Sequence, residues 1–255
     1  GSDYETLRAD FAEAGAPSLP VGLNLGAQIF WQEKTFPQEF EQLHWIVTYA
    51  QYWAYCLSGI LANEVTSLGC HTDLWNYAAK DYSTLVDVMD WRKFMPPLRR
   101  GDECLGSVLA DVAQLTGLKS DTPIYCGIHD SNASLYPHLA AQKQPFAVVS
   151  TGTWVICMAM GDAAVELDAA RDTLMNVNAL GQPVPSARFM GGRESQILST
   201  EFGDAPVEAD ADLILTRQAM LLPSVVGPCG PFPHPPLRWL NAESLCAPPK
   251  HLPPS

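Results

Sequence analysis

"IYCGIHDSNASLYPHL", residues 124–139, changes character at its middle, and that change decides the fold. Ile124, Tyr125, Cys126 and Ile128 form a short apolar run bounded upstream by Asp121-Thr122-Pro123, the pattern of a buried strand. Beyond Asp130, the apolar residues Ala133, Leu135, Tyr136 and Leu139 follow a helical rhythm. His129 and Asp130 therefore fall where a strand ends and a helix begins. Open α/β sheets hold their ligands at such junctions. Two readings of Asp130 stand side by side: an N-cap for the helix that follows, or a carboxylate placed for chemistry.

Working upstream, residues 5–15 (ETLRADFAEAG) read as a short helix stopped by Gly15, and residues 20–34 (PVGLNLGAQIFWQEK) as loop and turn around a buried Phe30 and Trp31. The longest helical pattern runs from Gln38 to Leu57, through Phe40, Leu43, Val47, Ala50, Ala54 and Leu57. The aromatics Trp45, Tyr49, Tyr52, Trp53 and Tyr55 on it are expected in the core and at helix contacts. A polar, turn-rich stretch over 63–83 holds His71, Asp73 and Trp75, and a second helix is expected over Leu105–Leu115, ended by Gly117.

Downstream of residues 142–146, the natural domain boundary, the pattern turns β-like. "FAVVSTGTWVICMAMG" (146–161) is two apolar runs broken by Ser150-Thr151-Gly152-Thr153; "PVPSARFMGG" (183–192) is a short strand, and "RESQILSTEFG" (193–203) opens a helix. A glycine among small hydroxyl residues lets a turn aim several N–H groups one way, which suits phosphate oxygens. The same residues also make an ordinary hairpin turn, and Gly191-Gly192-Arg193-Glu194 an ordinary turn before a helix. The tail from Leu222 is dense in proline and has no assignable element.

With 255 residues the chain is long enough for one large or two small domains. Fifteen Lys and Arg against twenty-eight Asp and Glu give a net charge of −13. No basic stripe marks a nucleic-acid surface, and no apolar run approaches the ~20 residues of a membrane helix. Seven scattered cysteines without a C-x-x-C pair argue against a zinc module or a disulfide framework and for a reducing compartment, so a cytoplasmic protein is expected. His71 and Asp73 lack metal-ligand spacing.

Taken in order, "GLNLGAQIFW" (22–31), "QYWAYCLSGILANEVTSLGCHTDLW" (51–75), "GIHDSNAS" (127–134), "STGTW" (150–154) and "ARFMGGRE" (187–194) resemble the FGGY carbohydrate kinases, nearest the rhamnulose- and fuculose-kinase branch. The resemblance covers nearly all of residues 3–240. It implies an α/β, two-domain sugar kinase of the actin-like ATPase (ribonuclease H-like) fold, with residues 1–142 as the remainder of the N-terminal domain and 143–255 as the beginning of the C-terminal one.

By the same resemblance, Asp130 matches the general base that takes the proton of the sugar hydroxyl, and His129 a sugar contact. Gly152 and Thr153 match the phosphate-facing turn, and Gly191 and Gly192 the place where backbone approaches the nucleotide. The implied cofactors are ATP and Mg²⁺, and the partners expected are a small sugar and a second copy of the chain in a homodimer. The chain departs from the family at both ends, with no opening Asp-x-Gly-Thr and with "AESLCAPPKHLPPS" (242–255) in place of a Gly-rich adenosine loop. It is therefore expected to be a partial kinase, or alternatively an inactive sugar- or protein-binding remnant of one.

Overall fold

The computed structural model describes residues 2–161, 164–202, 208–222, 226, 230–231 and 238–241. They form two compact units, one of residues 1–148, 158–169 and 174–186, the other of 149–157, 170–173 and 187–255.

The first unit opens with α1 (Ser2–Leu7) and α2 (Phe11–Ala14). The expected 5–15 helix is thus two pieces. Asp10 ends the gap by accepting from the Ala12 N–H, and Gly15, at φ 60°, closes α2 with its N–H on the Phe11 carbonyl. α3 (Leu25–Thr35) and α4 (Pro37–Phe40) follow. Residues 25–34 are therefore helix, not loop, because the Gly26 N–H bonds the Thr72 carbonyl at 2.8 Å and docks the helix start. Ile29 is the buried apolar residue there, whereas Trp31 is 57% exposed.

α5 (Tyr49–Ser58) is only the second half of the helix expected over 38–57. In the segment before it, the Ile46 N–H bonds the Phe94 carbonyl, and Asn63 bridges the Ile46 carbonyl and the Thr48 N–H. These distant partners replace the local helical ladder. The inward face of α5 is Gln51, Ala54 and Ser58, while Tyr49, Tyr52, Trp53 and Tyr55, with Trp45 before the helix, are exposed rather than core.

α6 (Val65–Leu68), the hairpin β1 (Trp75–Asn76) and β2 (Asp81–Tyr82), and α7 (Thr84–Val88) come next. Around them lies the core of this unit: Leu68, Leu74, Leu85, Val86 and Trp91, none more than 1% exposed. Burying one such side chain contributes about 1.5–3 kcal/mol. β3 (Cys104–Ser107) occupies the first half of the helix expected over 105–115; α8 (Ala110–Thr116) supplies the rest, closed by Gly117. β3 pairs antiparallel with β4 (Pro123–Tyr125), and that pairing takes Cys104–Ser107 out of the helix. β4 is shorter and more exposed than expected, with Tyr125 at 53%. α9 (Asp130–Ala141) follows.

β5 (Phe146–Thr151), β6 (Val155–Met160), β7 (Thr173–Val177) and β8 (Pro183–Phe189) make a four-stranded sheet of order β5-β6-β8-β7. α10 (Gly191–Phe202), α11 (Glu208–Arg217) and the antiparallel pair β9 (Met220–Leu222) and β10 (Arg238–Leu240) complete the second unit. Most of the proline-dense tail lies outside the described residues. Among the described residues no helix is long and apolar enough to cross a membrane.

Candidate functional site

β4 stops at Tyr125, and residues 126–129 cross to α9 in irregular backbone. The Cys126 and Gly127 N–H groups bond the carbonyls of Glu103 and Gly101, each at 3.0 Å. Gly101 has no side chain because a Cβ there would lie 2.2 Å from Ile128 Cγ2. The N-cap of α9 is His129 (φ −63°, ψ 144°), and Asp130 is the first helical residue.

The Ser131 N–H faces both Asp130 Oδ1 at 2.6 Å and His129 Nδ1 at 3.3 Å. The shorter, charge-assisted bond takes that proton. His129 Nδ1 also lies 3.1 Å from Asp130 Oδ1. Burial pushes the His129 imidazole below its usual pKa, against the pull of Asp130 toward the charged form. The Asp130 side chain is 93% exposed. A neutral, half-buried imidazole beside an accessible carboxylate can orient a hydroxyl and accept its proton.

The second cluster lies wholly in the second unit. Gly191 and Gly192 start α10 against the turn between β5 and β6. A Cβ on Gly192 would sit 1.9 Å from the Gly152 carbonyl oxygen, and one on Gly191 2.6 Å from the Phe189 ring. At Gly192 backbone meets backbone, and only glycine permits it. The Arg193 N–H reaches the Thr153 carbonyl at 3.4 Å and the Glu194 N–H the Met190 carbonyl at 2.9 Å. The N–H groups of Gly191 and Gly192 precede the helix's own ladder, where anions bind. The structure thus brings Gly152, Thr153, Gly191 and Gly192 together, and separately His129 with Asp130.

Beside this turn, Arg188 stacks on Trp154, its guanidinium carbon 4.8 Å from the ring centroid, and pairs with Asp172 at 3.1 Å. Asp172 also accepts the Gly230 N–H at 2.7 Å.

At the Gly192–Gly152 contact the space a side chain would need is taken by the Gly152 carbonyl oxygen, so the start of α10 is packed directly on the turn. Among the described residues no group of three or more His, Cys, Asp and Glu could hold a metal ion.

Asp73 belongs to neither cluster. It is 1% exposed, and accepts from Tyr4 Oη at 2.6 Å, Arg8 at 2.8 Å and Asn24 Nδ2 at 3.0 Å, so it ties the amino terminus to the core. Sequence reasoning gave no role to Gln51, Glu64, Thr66 or Arg188, although all four lie within the quoted stretches 51–75 and 187–194.

Residues 143–250 match the model of carbohydrate kinase FGGY, C-terminal domain, and residues 22–136 that of the FGGY family of carbohydrate kinases, N-terminal domain. The L-fuculokinase of Salmonella typhi is 26% identical over 133 residues, which are 51% of this chain and 28% of that enzyme. The L-xylulose/3-keto-L-gulonate kinase of Escherichia coli is 26% identical over 133 residues, 49% of this chain and 26% of that one. A carbohydrate kinase from Novosphingobium aromaticivorans superposes with a TM-score of 0.84 at 38% identity, over 94% of this chain and 54% of its own. The fold is that of the two-domain actin-like ATPases, and the chain spans about half the length of the Novosphingobium structure and about a quarter of the two curated kinases.

Proposed function

The chain belongs to the FGGY family of carbohydrate kinases, and from that premise we propose that its protein transfers the γ-phosphoryl group of ATP to a hydroxyl of a ketose or deoxy-ketose, with Asp130 as general base. The observation that carries this reading is the accessible Asp130 carboxylate, 93% exposed at the amino end of α9 on a junction pinned by several hydrogen bonds. Phosphoryl transfer has a loose transition state, so positioning and charge placement supply most of the catalysis. Asp130 orients the sugar hydroxyl and takes its proton as the new O–P bond forms and the bond to the ADP leaving group breaks. His129, kept neutral by burial, contacts the sugar without adding a competing positive charge. Gly152, Thr153, Gly191 and Gly192 hold the phosphates through backbone N–H groups. Mg²⁺, when bound, neutralises charge on those phosphates.

In this reading residues 1–142 are the sugar-side domain and 143–255 the start of the nucleotide-side domain, a division supported by domain matches at 22–136 and 143–250. The protein works in the cytoplasm on a small sugar, without nucleic acid or membrane, as a monomer or homodimer. The alternative reading is a non-catalytic sugar- or protein-binding remnant of such a kinase.

Sugar-dependent ADP release separates the two. With L-fuculose, L-rhamnulose, D-xylulose and D-ribulose as substrates, the kinase reading expects release with at least one sugar and a loss of at least about 100-fold in Asp130→Asn, the lower end of what a positioned base contributes. Release that persists in Asp130→Asn removes Asp130 as the base, and no release with any sugar favours the remnant.

A further inference from the structure

Three polar backbone groups of the junction that carries Asp130 are held by side chains from far upstream. Gln51 Nε2 donates to the Cys126 carbonyl at 3.1 Å and to the Gly127 carbonyl at 3.2 Å. The His129 N–H donates to Thr66 Oγ1 at 2.9 Å. Each clamp is itself oriented. The Thr48 hydroxyl donates to Gln51 Oε1, which turns the amide NH₂ toward the junction. The one hydroxyl proton of Thr66 goes to Glu64 Oε2, so its lone pairs face the His129 N–H.

Glu64 is the unusual member. It is fully buried, and Oε2 also accepts the Thr66 and Ser67 N–H groups at 3.0 and 3.3 Å, while Oε1 has no partner among the described residues. Burial raises the Glu64 pKa despite these donors. A buried carboxylate with an unpaired oxygen costs stability that an apolar side chain would not. What it supplies in return is direction: it fixes which way the Thr66 hydroxyl points. Violations of ordinary packing rules of this kind gather at functional sites.

We propose that Thr66, oriented by Glu64, is a positioning residue that sets the place of Asp130 by holding the backbone of His129, with Gln51 fixing the two carbonyls before it. This rests on the reading of Asp130 as general base. His129 and Asp130 share a peptide bond, so a shift at the His129 N–H is passed to the first turn of α9. A misplacement of about 1 Å in a catalytic group can cost about 100-fold in rate.

The test uses the chain with Thr66→Val, which keeps the shape and removes the acceptor, and Thr66→Ser, which restores it; Thr66→Ala replaces Val if Val fails to fold. Amide hydrogen exchange of His129 is measured against that of Leu135 within the same helix. The expected result for Thr66→Val is at least about tenfold faster exchange at His129 relative to Leu135, as loss of a single bond's protection allows. The NMR titration of the His129 imidazole moves with it, and Thr66→Ser returns both. In sugar-dependent ADP release, kcat falls at least about tenfold with KM within about twofold, the signature of an interaction made in the transition state. Unchanged exchange and titration in Thr66→Val overturn the proposal. Altered exchange with an unchanged kcat overturns it as well, since the junction then moves without consequence for the base. Turnover that survives Asp130→Asn overturns the base reading itself, and is read from a variant that leaves Thr66 intact.

Discussion

Asp73 sits at a φ of 65°, a left-handed conformation in which Asp and Asn are the best tolerated residues after glycine. Its carboxylate collects Tyr4, Arg8 and Asn24, all from the first twenty-four residues, onto one buried point. The charge matters as much as the shape, because the Arg8 side chain is only 13% exposed and faces a carboxylate that is fully buried. Asp73→Asn keeps the backbone preference and leaves Arg8 with only the Glu5 carboxylate at 3.9 Å and the Ala16 carbonyl. The expected loss is about 3 kcal/mol, the lower range for breaking a buried pair by removing one partner, read as a lower urea midpoint. Loss below about 0.5 kcal/mol would mean that Glu5 and the Ala16 carbonyl satisfy Arg8 without Asp73. The same residue lies in the polar loop that the sequence left ambiguous with His71. Its burial assigns it to structure.

At the scale of elements, the start of α5 shows how a distant residue decides where a helix begins. Asn63 is 1% exposed, and its amide binds the Ile46 carbonyl at 3.0 Å and the Thr48 N–H at 3.2 Å. Asn63→Ala would strand both backbone groups in the interior at about 1–3 kcal/mol each. A drop in unfolding free energy of about 2–4 kcal/mol is therefore expected in urea titrations, and a neutral result would show that residues 46–48 hold their extended course without it. This contact also explains what could be read in advance. β5, β6, β8 and α10 were legible because their signals are local: alternation, a Ser-Thr-Gly-Thr break, paired glycines before a polar helix. The 38–57 helix and the 105–115 helix were misread because their breaks come from partners in other segments, Phe94 and Asn63 for one and β4 for the other. The site divides in the same way. His129 and Asp130 stood out as titratable groups at a change of period. Thr66 and Gln51 did not, since their roles rest on bonds spanning 63 to 76 positions.

For the whole molecule the governing facts are a net charge of −13 and two buried titratable groups whose shifts favour neutrality. Self-repulsion weakens as acid neutralises carboxylates, so the raw stability curve mixes many groups, and only differences between wild type and single variants isolate one. His129 has a folded pKa below its usual 6.5, so the unfolded chain binds its proton first. Its contribution is complete above pH 6.5 and is lost as pH falls from there through the folded value. Glu64 has a folded pKa above its usual 4.5, so the folded chain binds its proton first. Its contribution is complete below pH 4.5 and is lost as pH rises through the folded value. The two differences must therefore slope in opposite directions. Unfolding free energies of wild type, His129→Gln and Glu64→Gln, measured from about pH 4.5 to about pH 7.5, follow each slope from the group's ordinary pKa. Wild type should lose ground to His129→Gln on acidification and gain ground on Glu64→Gln, each by no more than about 1.4 kcal/mol per pH unit, the limit for one proton. A flat His129 difference would place its imidazole in water, and a flat Glu64 difference would mean that its three donors balance its burial. Either result would loosen the link between burial at this junction and the placement of Asp130.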